Sequence, residues 1–178
     1  TDVSVVRPGN NNEVLEIMKI ANEKNVLVRP VGLRTVCTAH KPRKVRPELV
    51  GKKGIIIDMT RMNRIIEVSE ETMTVTVEAG TTMAEINTAL APKGYRVIEG
   101  TLAPYCATAG ALVGYGPGAN KYGSRQDQVV DLQVVTPTGA LLQTGAAGLG
   151  MLHFDRPSLC WYPLKVRYAC WSCAKTLA

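Results

Sequence analysis

The sequence predicts an α+β protein: a small α/β lobe with parallel strands, followed by a larger, mainly antiparallel α+β lobe. Three observations carry this reading. A strand, a helix and a strand follow one another within about 30 residues of the start, the pattern of a βαβ unit. From Ile65 onward, short runs alternate apolar and polar residues across polar turns, as half-solvated antiparallel strands do. Eleven of the sixteen glycines fall between Gly94 and Gly150, a density that weakens ordinary helices and strands unless close backbone approach is needed.

Val3 to Val6 is a mostly β-branched run closed by Pro8 and Gly9. Asn10, Asn11 and Asn12 offer N-cap side chains to a helix starting near Glu13, and Val14, Ile17, Met18 and Ala21 form its apolar face. Val26 to Val31 and Gly54 to Met59 read as strands, and the first pairs in parallel across the helix with Val3 to Val6. Ile65 to Val68 and Met73 to Val77 flank the turn Ser69-Glu70-Glu71-Thr72 as a hairpin. Thr82 with Glu85 makes a capping box for a helix carrying Met83, Ile86, Ala89 and Leu90. Pro92 and Gly94 end it, and Tyr95 to Ile98 returns as a strand. Val129 to Thr136 and Ala140 to Thr144 form a second hairpin across Pro137-Thr138-Gly139.

Composition narrows the function classes. With 178 residues, 46% hydrophobic and 20% charged, the chain can bury a sizeable core and is neither disordered nor fibrous. No apolar run approaches the roughly 20 residues of a membrane span. The start does not resemble a signal peptide, and Thr1 is not an initiator Met, which leaves room for a processed or trimmed end. The net charge of +6 invites a nucleic-acid reading. However, residues 29–53 alone carry +7, eight Lys or Arg against Glu48, so the rest of the chain stands at −1. A phosphate-binding loop and a solvated basic loop both fit that segment. A basic nucleic-acid binder using Lys41 to Lys53 is the weaker reading, because no aromatics are interleaved with the charges.

The glycine-rich centre, Thr108 to Gly145, is the most informative stretch. Gly110, Gly114, Gly116 and Gly118 would let backbone amides approach a flat or anionic ligand, although a set of tight surface turns also fits. No G-x-G-x-x-G links a strand to a helix here. Three segments in order, VVRPGNNNEVLEIMKIANEKNVLVRPVG, GIIIDMTRMNRIIEVSEETMTVTVEAGTT and KYGSRQDQVVDLQVVTPTG, closely resemble the FAD-binding domain of the vanillyl-alcohol oxidase (p-cresol methylhydroxylase, PCMH-type) family of FAD-linked oxidases. That family includes D-lactate and glycolate dehydrogenases and aryl-alcohol oxidases. The resemblance runs from about Val3 to Gly145.

The resemblance implies a PCMH-type fold with FAD between two lobes, 1–64 and 65–150, and a divergent tail over 151–178. It assigns the pyrophosphate to Pro30-Val31-Gly32-Leu33-Arg34-Thr35, where Gly32 and Thr35 match but two usual glycines are Leu33 and Arg34. Arg34 could compensate by a charge-assisted phosphate contact. It assigns flavin and pyrophosphate contacts to Pro104-Tyr105-Cys106-Ala107-Thr108-Ala109-Gly110-Ala111, with Thr108 and Gly110 matching best. Tyr122-Gly123-Ser124 and Asp127-Gln128-Val129-Val130 match the segment after the glycine-rich turn, which puts Gly116, Gly118 and Tyr122 around the cofactor. Cys106 falls where berberine-bridge-type relatives attach flavin; the partner His is absent, with Thr35 in its place, so a small packed Cys is the alternative.

The implied activity is oxidation of an alcohol or 2-hydroxy acid, D-lactate- or glycolate-like or an aryl alcohol, by hydride transfer to flavin. The family's cap domain, which supplies most of the substrate pocket and often the catalytic base, has no counterpart here, so no catalytic residue is named. A partner subunit or self-association would have to supply it. A non-catalytic FAD-fold subunit or remnant is the alternative. After roughly Asp155-Arg156 the pattern is lost, and residues 151–178 hold five of nine aromatics and three of five cysteines. A naturally short subunit and a chain ended by truncation or a shifted frame both account for that change.

Other chemistry is sparse. His40 and His153 are too few for a His-based triad or metal centre, and no metal site is expected. Cys170-Trp171-Ser172-Cys173 has C-x-x-C spacing, yet with Cys160 and His153 it matches no established zinc pattern and reads as chance pairing. Five cysteines without a visible secretion signal fit free thiols in a reducing cytoplasm.

Overall fold

The fold follows from where the chain places its most apolar strand. In the computed structural model, which describes residues 3–33, 53–98, 108–110, 128–144 and 162–172, the first sheet has three parallel strands. These are β1 (Val3–Val6), β2 (Leu27–Val31) and β3 (Gly54–Asp58), and helix α1 (Asn11–Glu23) links β1 to β2. The order is β1-β3-β2, so β1 and β2 are not partners as the βαβ reading expects; β3 lies between them. The reason is composition. The Ile55-Ile56-Ile57 run of β3 suits a strand covered on both faces, while β2 carries exposed Arg29 and donor-less Pro30, which suit an edge.

Residue 65 begins the second sheet. Strands β4 (Ile65–Ser69), β5 (Thr74–Glu78), β7 (Val129–Val135), β8 (Leu141–Gln143) and β9 (Tyr162–Ala169) form an antiparallel sheet in the order β4-β5-β9-β7-β8. Between β5 and β7 come helix α2 (Met83–Leu90) and the short strand β6 (Tyr95–Arg96), which pairs with β10 (Trp171–Ser172). Residues 162–172, which composition sets apart from the preceding chain, thus supply the middle strand of the sheet. Leu164, Val166 and Tyr168 are buried at every second position along it, and Cys170 continues the alternation just past its end. Pro163, which cannot donate to a ladder, pairs with Val134 next to a register shift.

Local signals set the boundaries. Asn10 caps α1: its Oδ1 accepts from Glu13 N at 3.0 Å, and Glu13 Oε2 accepts from Gly9 N at 2.8 Å. The Thr82–Glu85 capping box of α2 is complete, with Glu85 N donating to Thr82 Oγ1 and Thr82 N to Glu85 Oε2. The β7–β8 turn needs a left-handed residue, and Gly139 supplies it at φ +79. The expected strand over Tyr95 to Ile98 stops at Arg96, because Val97 N and O are both taken by the Asn87 side chain, at 2.8 and 3.2 Å.

Two cores result, and the second joins the lobes. Val75, Val77, Met83, Ile86, Leu90, Leu132, Val166 and Tyr168 pack between the second sheet and α2. Val14 and Met18 of α1 and Ile57 of β3 pack with Met59, Met62, Ala79, Val135 and Leu164. Gly80 sits at this junction, its N–H donating to Met62 O at 2.9 Å. A Cβ there would run into Met59 O and would lie 2.7 Å from Met62 O, both backbone atoms that cannot rotate away. Gly80→Ala should therefore lower stability by about 3 kcal/mol, the upper end of overpacking costs, seen as a reduced denaturant midpoint at unchanged slope.

Candidate functional site

Parallel strands deliver their carboxyl ends to one edge, where open α/β sheets hold ligands. Val6 is level with Ile57, and Val31 with Asp58, so Arg7, Gly32 and Asp58 emerge on the same edge. The Asp58 carboxylate, only 3% exposed as a residue, ties this edge together. Its Oδ1 accepts from Thr60 N at 3.1 Å and Thr60 Oγ1 at 2.6 Å, and its Oδ2 from Arg7 Nε at 3.1 Å. Burial pushes the carboxyl upward, but the Thr60 and Arg7 hydrogen bonds and the Arg7 charge outweigh it and hold Asp58 below the usual carboxylate range.

A second segment closes on Gly32. Thr108 stands so near that a Cβ on Gly32 would lie 2.6 Å from its Oγ1 and 3.0 Å from its Cγ2. Here glycine permits the approach of one loop to another. The 108–110 segment is itself anchored from beneath. Thr108 bridges Thr82 in antiparallel fashion, Ala109 N donates to Thr81 O at 2.8 Å, and Gly110 N donates to Ala79 O at 2.8 Å. From the other side, the buried Tyr168 hydroxyl donates to Ala109 O at 2.8 Å. Gly110 also abuts Ala79, whose Cβ would stand 2.8 Å from a side chain at that position.

Seven of the residues expected around a cofactor are thereby placed. Pro30 and Val31 lie in β2, Gly32 and Leu33 just beyond it, and Thr108, Ala109 and Gly110 against Gly32 and the Ala79–Thr82 turn. Arg34, Thr35, Pro104, Cys106, Gly116, Gly118 and Tyr122 lie outside the described residues. The amides of Ala109 and Gly110 are committed to Thr81 and Ala79, so these residues position the loop and have no free backbone donor for a phosphate. Cys170 is buried, and desolvation pushes its thiol up to about 11; that is the opposite of an attacking thiol.

Two features carry no assigned role from the sequence alone. One is the Asp58–Thr60–Arg7 cluster, signalled by an Asp-x-Thr step at the end of a strand. The other is Gln128, the residue before β7, which is 3% exposed. Among the described residues it alone has buried side-chain atoms without a hydrogen-bond partner, both Nε2 and Oε1. Val129, next to it, pairs with Tyr168, whose hydroxyl holds Ala109. A buried amide with unused donors and acceptor is rare in a folded protein and calls for a partner.

Fold and site together define an α+β domain in which a three-stranded parallel sheet and a five-stranded antiparallel sheet share a core. The sequence profile described as "FAD binding domain" matches residues 4–145. The chain belongs to that FAD-binding family, and FAD is its cofactor. Among relatives, it is 30% identical to alkyldihydroxyacetonephosphate synthase of Trypanosoma brucei brucei over 141 residues, covering 78% of this chain and 23% of that protein. It is 33% identical to the mitochondrial D-lactate dehydrogenase [cytochrome] of Arabidopsis thaliana over 149 residues, covering 80% of this chain and 24% of that one. A glycolate oxidase subunit of Bacillus subtilis is 28% identical, with 80% and 29% covered. The chain therefore spans about a quarter of the length of these relatives. Among solved structures, an alkyldihydroxyacetonephosphate synthase superposes with a TM-score of 0.77 at 24% identity, over 94% of this chain and 32% of that one. Substrate-bound p-cresol methylhydroxylase gives 0.74 at 18%, over 94% and 35%. The fold is thus the PCMH-type FAD-binding fold, as the sequence implies.

Two outcomes follow from this geometry. Gly32→Ala should destabilise the chain by about 1–3 kcal/mol through the Thr108 clash. Thr108→Ala in the same chain should recover much of that loss, giving a coupling above about 0.5 kcal/mol in a double-mutant melting cycle. Asp58→Asn should lower stability at neutral pH by roughly 1–2 kcal/mol, since its amide would face Arg7 with a donor. Because the folded pKa lies below the ordinary 3.8, the wild-type advantage is fully present above that pH. It is lost as pH falls through the lower folded value, so denaturation curves of the two proteins should converge in acid.

Proposed function

We propose that this chain is the FAD-holding part of an oxidoreductase that oxidises an alcohol or a 2-hydroxy acid, with a cap domain or partner subunit completing the substrate pocket. The observation that carries the reading is the close packing of Gly32 on Thr108, which brings together two loops that the family resemblance implies for FAD. The names of two relatives, a D-lactate dehydrogenase and a glycolate oxidase subunit, favour a small 2-hydroxy acid. When bound, FAD supplies two-electron chemistry, taking a hydride equivalent from the substrate carbon.

The protein's own part is to bind and orient. Pro30 and Val31 at the end of β2 and Gly32 and Leu33 beyond it lie at the carboxyl edge, where the Asp58–Arg7 pair fixes the strand ends, and with Arg34 and Thr35 they are the segment proposed for the pyrophosphate. Thr108, Ala109 and Gly110 hold the facing loop in place, and Pro104, Cys106, Gly116, Gly118 and Tyr122 complete the proposed cofactor surround. The substrate is a small molecule, and a cytoplasmic site of action is part of the same proposal. Among the described residues, no helix is long and apolar enough to cross a membrane.

The absorption spectrum of the purified chain, taken before and after denaturation, tests this directly. Flavin bands with FAD released on unfolding are expected; a colourless chain that does not take up added FAD refutes the proposal. Colour retained on the denatured chain would assign a covalent link, with Cys106 as the position to map. With a cap-bearing partner present, D-lactate or glycolate should bleach those bands.

A further inference from the structure

Among the described residues, every other fully buried polar side-chain atom has a hydrogen-bond partner. Asp58 is bonded to Thr60 and Arg7, Glu78 to Arg64, and Asp131 to Arg167 and Gln143. Gln128 breaks the rule, its carboxamide buried with Oε1 and Nε2 both unpaired. A buried amide left in that state is unfavourable, and folded proteins pair nearly all such groups. A single group that satisfies the whole carboxamide must meet two donors and one acceptor in one plane. A phosphate oxygen offers only acceptors. A heteroaromatic ring edge carrying a donor beside an acceptor answers both ends of the amide, and FAD has two: the imide edge of its isoalloxazine and the amino–ring-nitrogen edge of its adenine.

The position agrees with this chemistry. Gln128 immediately precedes Val129, which is level with Tyr168. The Tyr168 hydroxyl holds Ala109 O, and Thr108 beside it meets Gly32. We propose that Gln128 is a cofactor-reading residue, pairing its carboxamide with a donor–acceptor ring edge of FAD. The assignment rests on FAD being held at the junction of the Gly32 and Thr108 loops. It adds a residue that selects the ring system, where the 30–35 segment would hold the diphosphate.

The test uses the full chain, wild type and Gln128→Leu, titrated with FAD, riboflavin and ADP by fluorescence and calorimetry, alongside melting without ligand. Leucine is close in size and removes the unpaired groups, so the ligand-free variant should melt no lower than wild type. Its FAD affinity should fall about tenfold or more, the loss of one well-made hydrogen-bonded pair. If the isoalloxazine is the partner, riboflavin binding falls with it while ADP binding holds; if adenine is, the reverse occurs. Gln128→Glu keeps the shape but loses both amide donors, and it should weaken FAD in the same arm should the leucine variant not fold. Wild-type affinity for FAD in either variant overturns the assignment while leaving FAD binding intact. A lower ligand-free melting temperature with unchanged FAD affinity makes Gln128 a structural amide instead. A wild-type chain that takes up none of the three probes overturns both this assignment and the FAD-holding reading beneath it.

Discussion

The turn from Glu78 to Thr82 is the constraint on which the rest of the molecule depends. Within five residues its backbone bonds to three separated segments: Arg64 and Met62 on one side, Leu164 on another, and Ala109 and Gly110 on the third. Glu78 reinforces the first of these, its buried carboxylate accepting from Arg64 N at 2.8 Å and Arg64 Nη2 at 2.7 Å. Each bond contributes only modestly by itself. Together they fix where the parallel sheet ends, where the middle strand of the second sheet passes and where the 108–110 segment docks. Helix α2 begins at the same place, so its capping box also fixes Thr82 for the bridge to Thr108.

This arrangement divides labour between backbone and side chains. Glycines at 32, 80 and 110 serve contact between protein segments, since a Cβ at each would meet Thr108, the Met59–Met62 backbone or Ala79. The amides of 109 and 110 are consumed in anchoring. Against this background of paired buried groups, Gln128 stands out among the described residues.

Much of the fold was legible because it is encoded locally. The Asn10 cap, the Thr82–Glu85 box, the β-branched alternation after Ile65 and the Pro137-Thr138-Gly139 turn each specify a boundary within a few residues. Strand order was not local. Whether β1 pairs with β2 depends on β3, more than twenty residues downstream, and on the competition for the covered middle position. The same holds for residues 162–172, whose aromatic and cysteine-rich composition hid an alternation of buried residues at 164, 166, 168 and 170. At the site, glycine spacing and resemblance drew attention to Gly32 and Thr108, but spacing says nothing about which amides are already engaged. The burial of Gln128 and the linkage of Asp58 to Arg7, 51 residues apart in sequence, emerge only when the chain is folded.

The position of β9 has a kinetic side. In the order β4-β5-β9-β7-β8, the two hairpins never touch as ladder partners; each pairs with the strand at 162–169. During synthesis, β4 with β5 and β7 with β8 can form as the chain emerges, yet each presents an unpaired edge until β9 arrives. Such edges invite pairing with other chains, and the ladder between Thr74 and Ala169 closes one of the longest loops in the molecule. The second sheet therefore cannot be complete until residues 162–169 are in place, and β9 covers both hairpin edges at once.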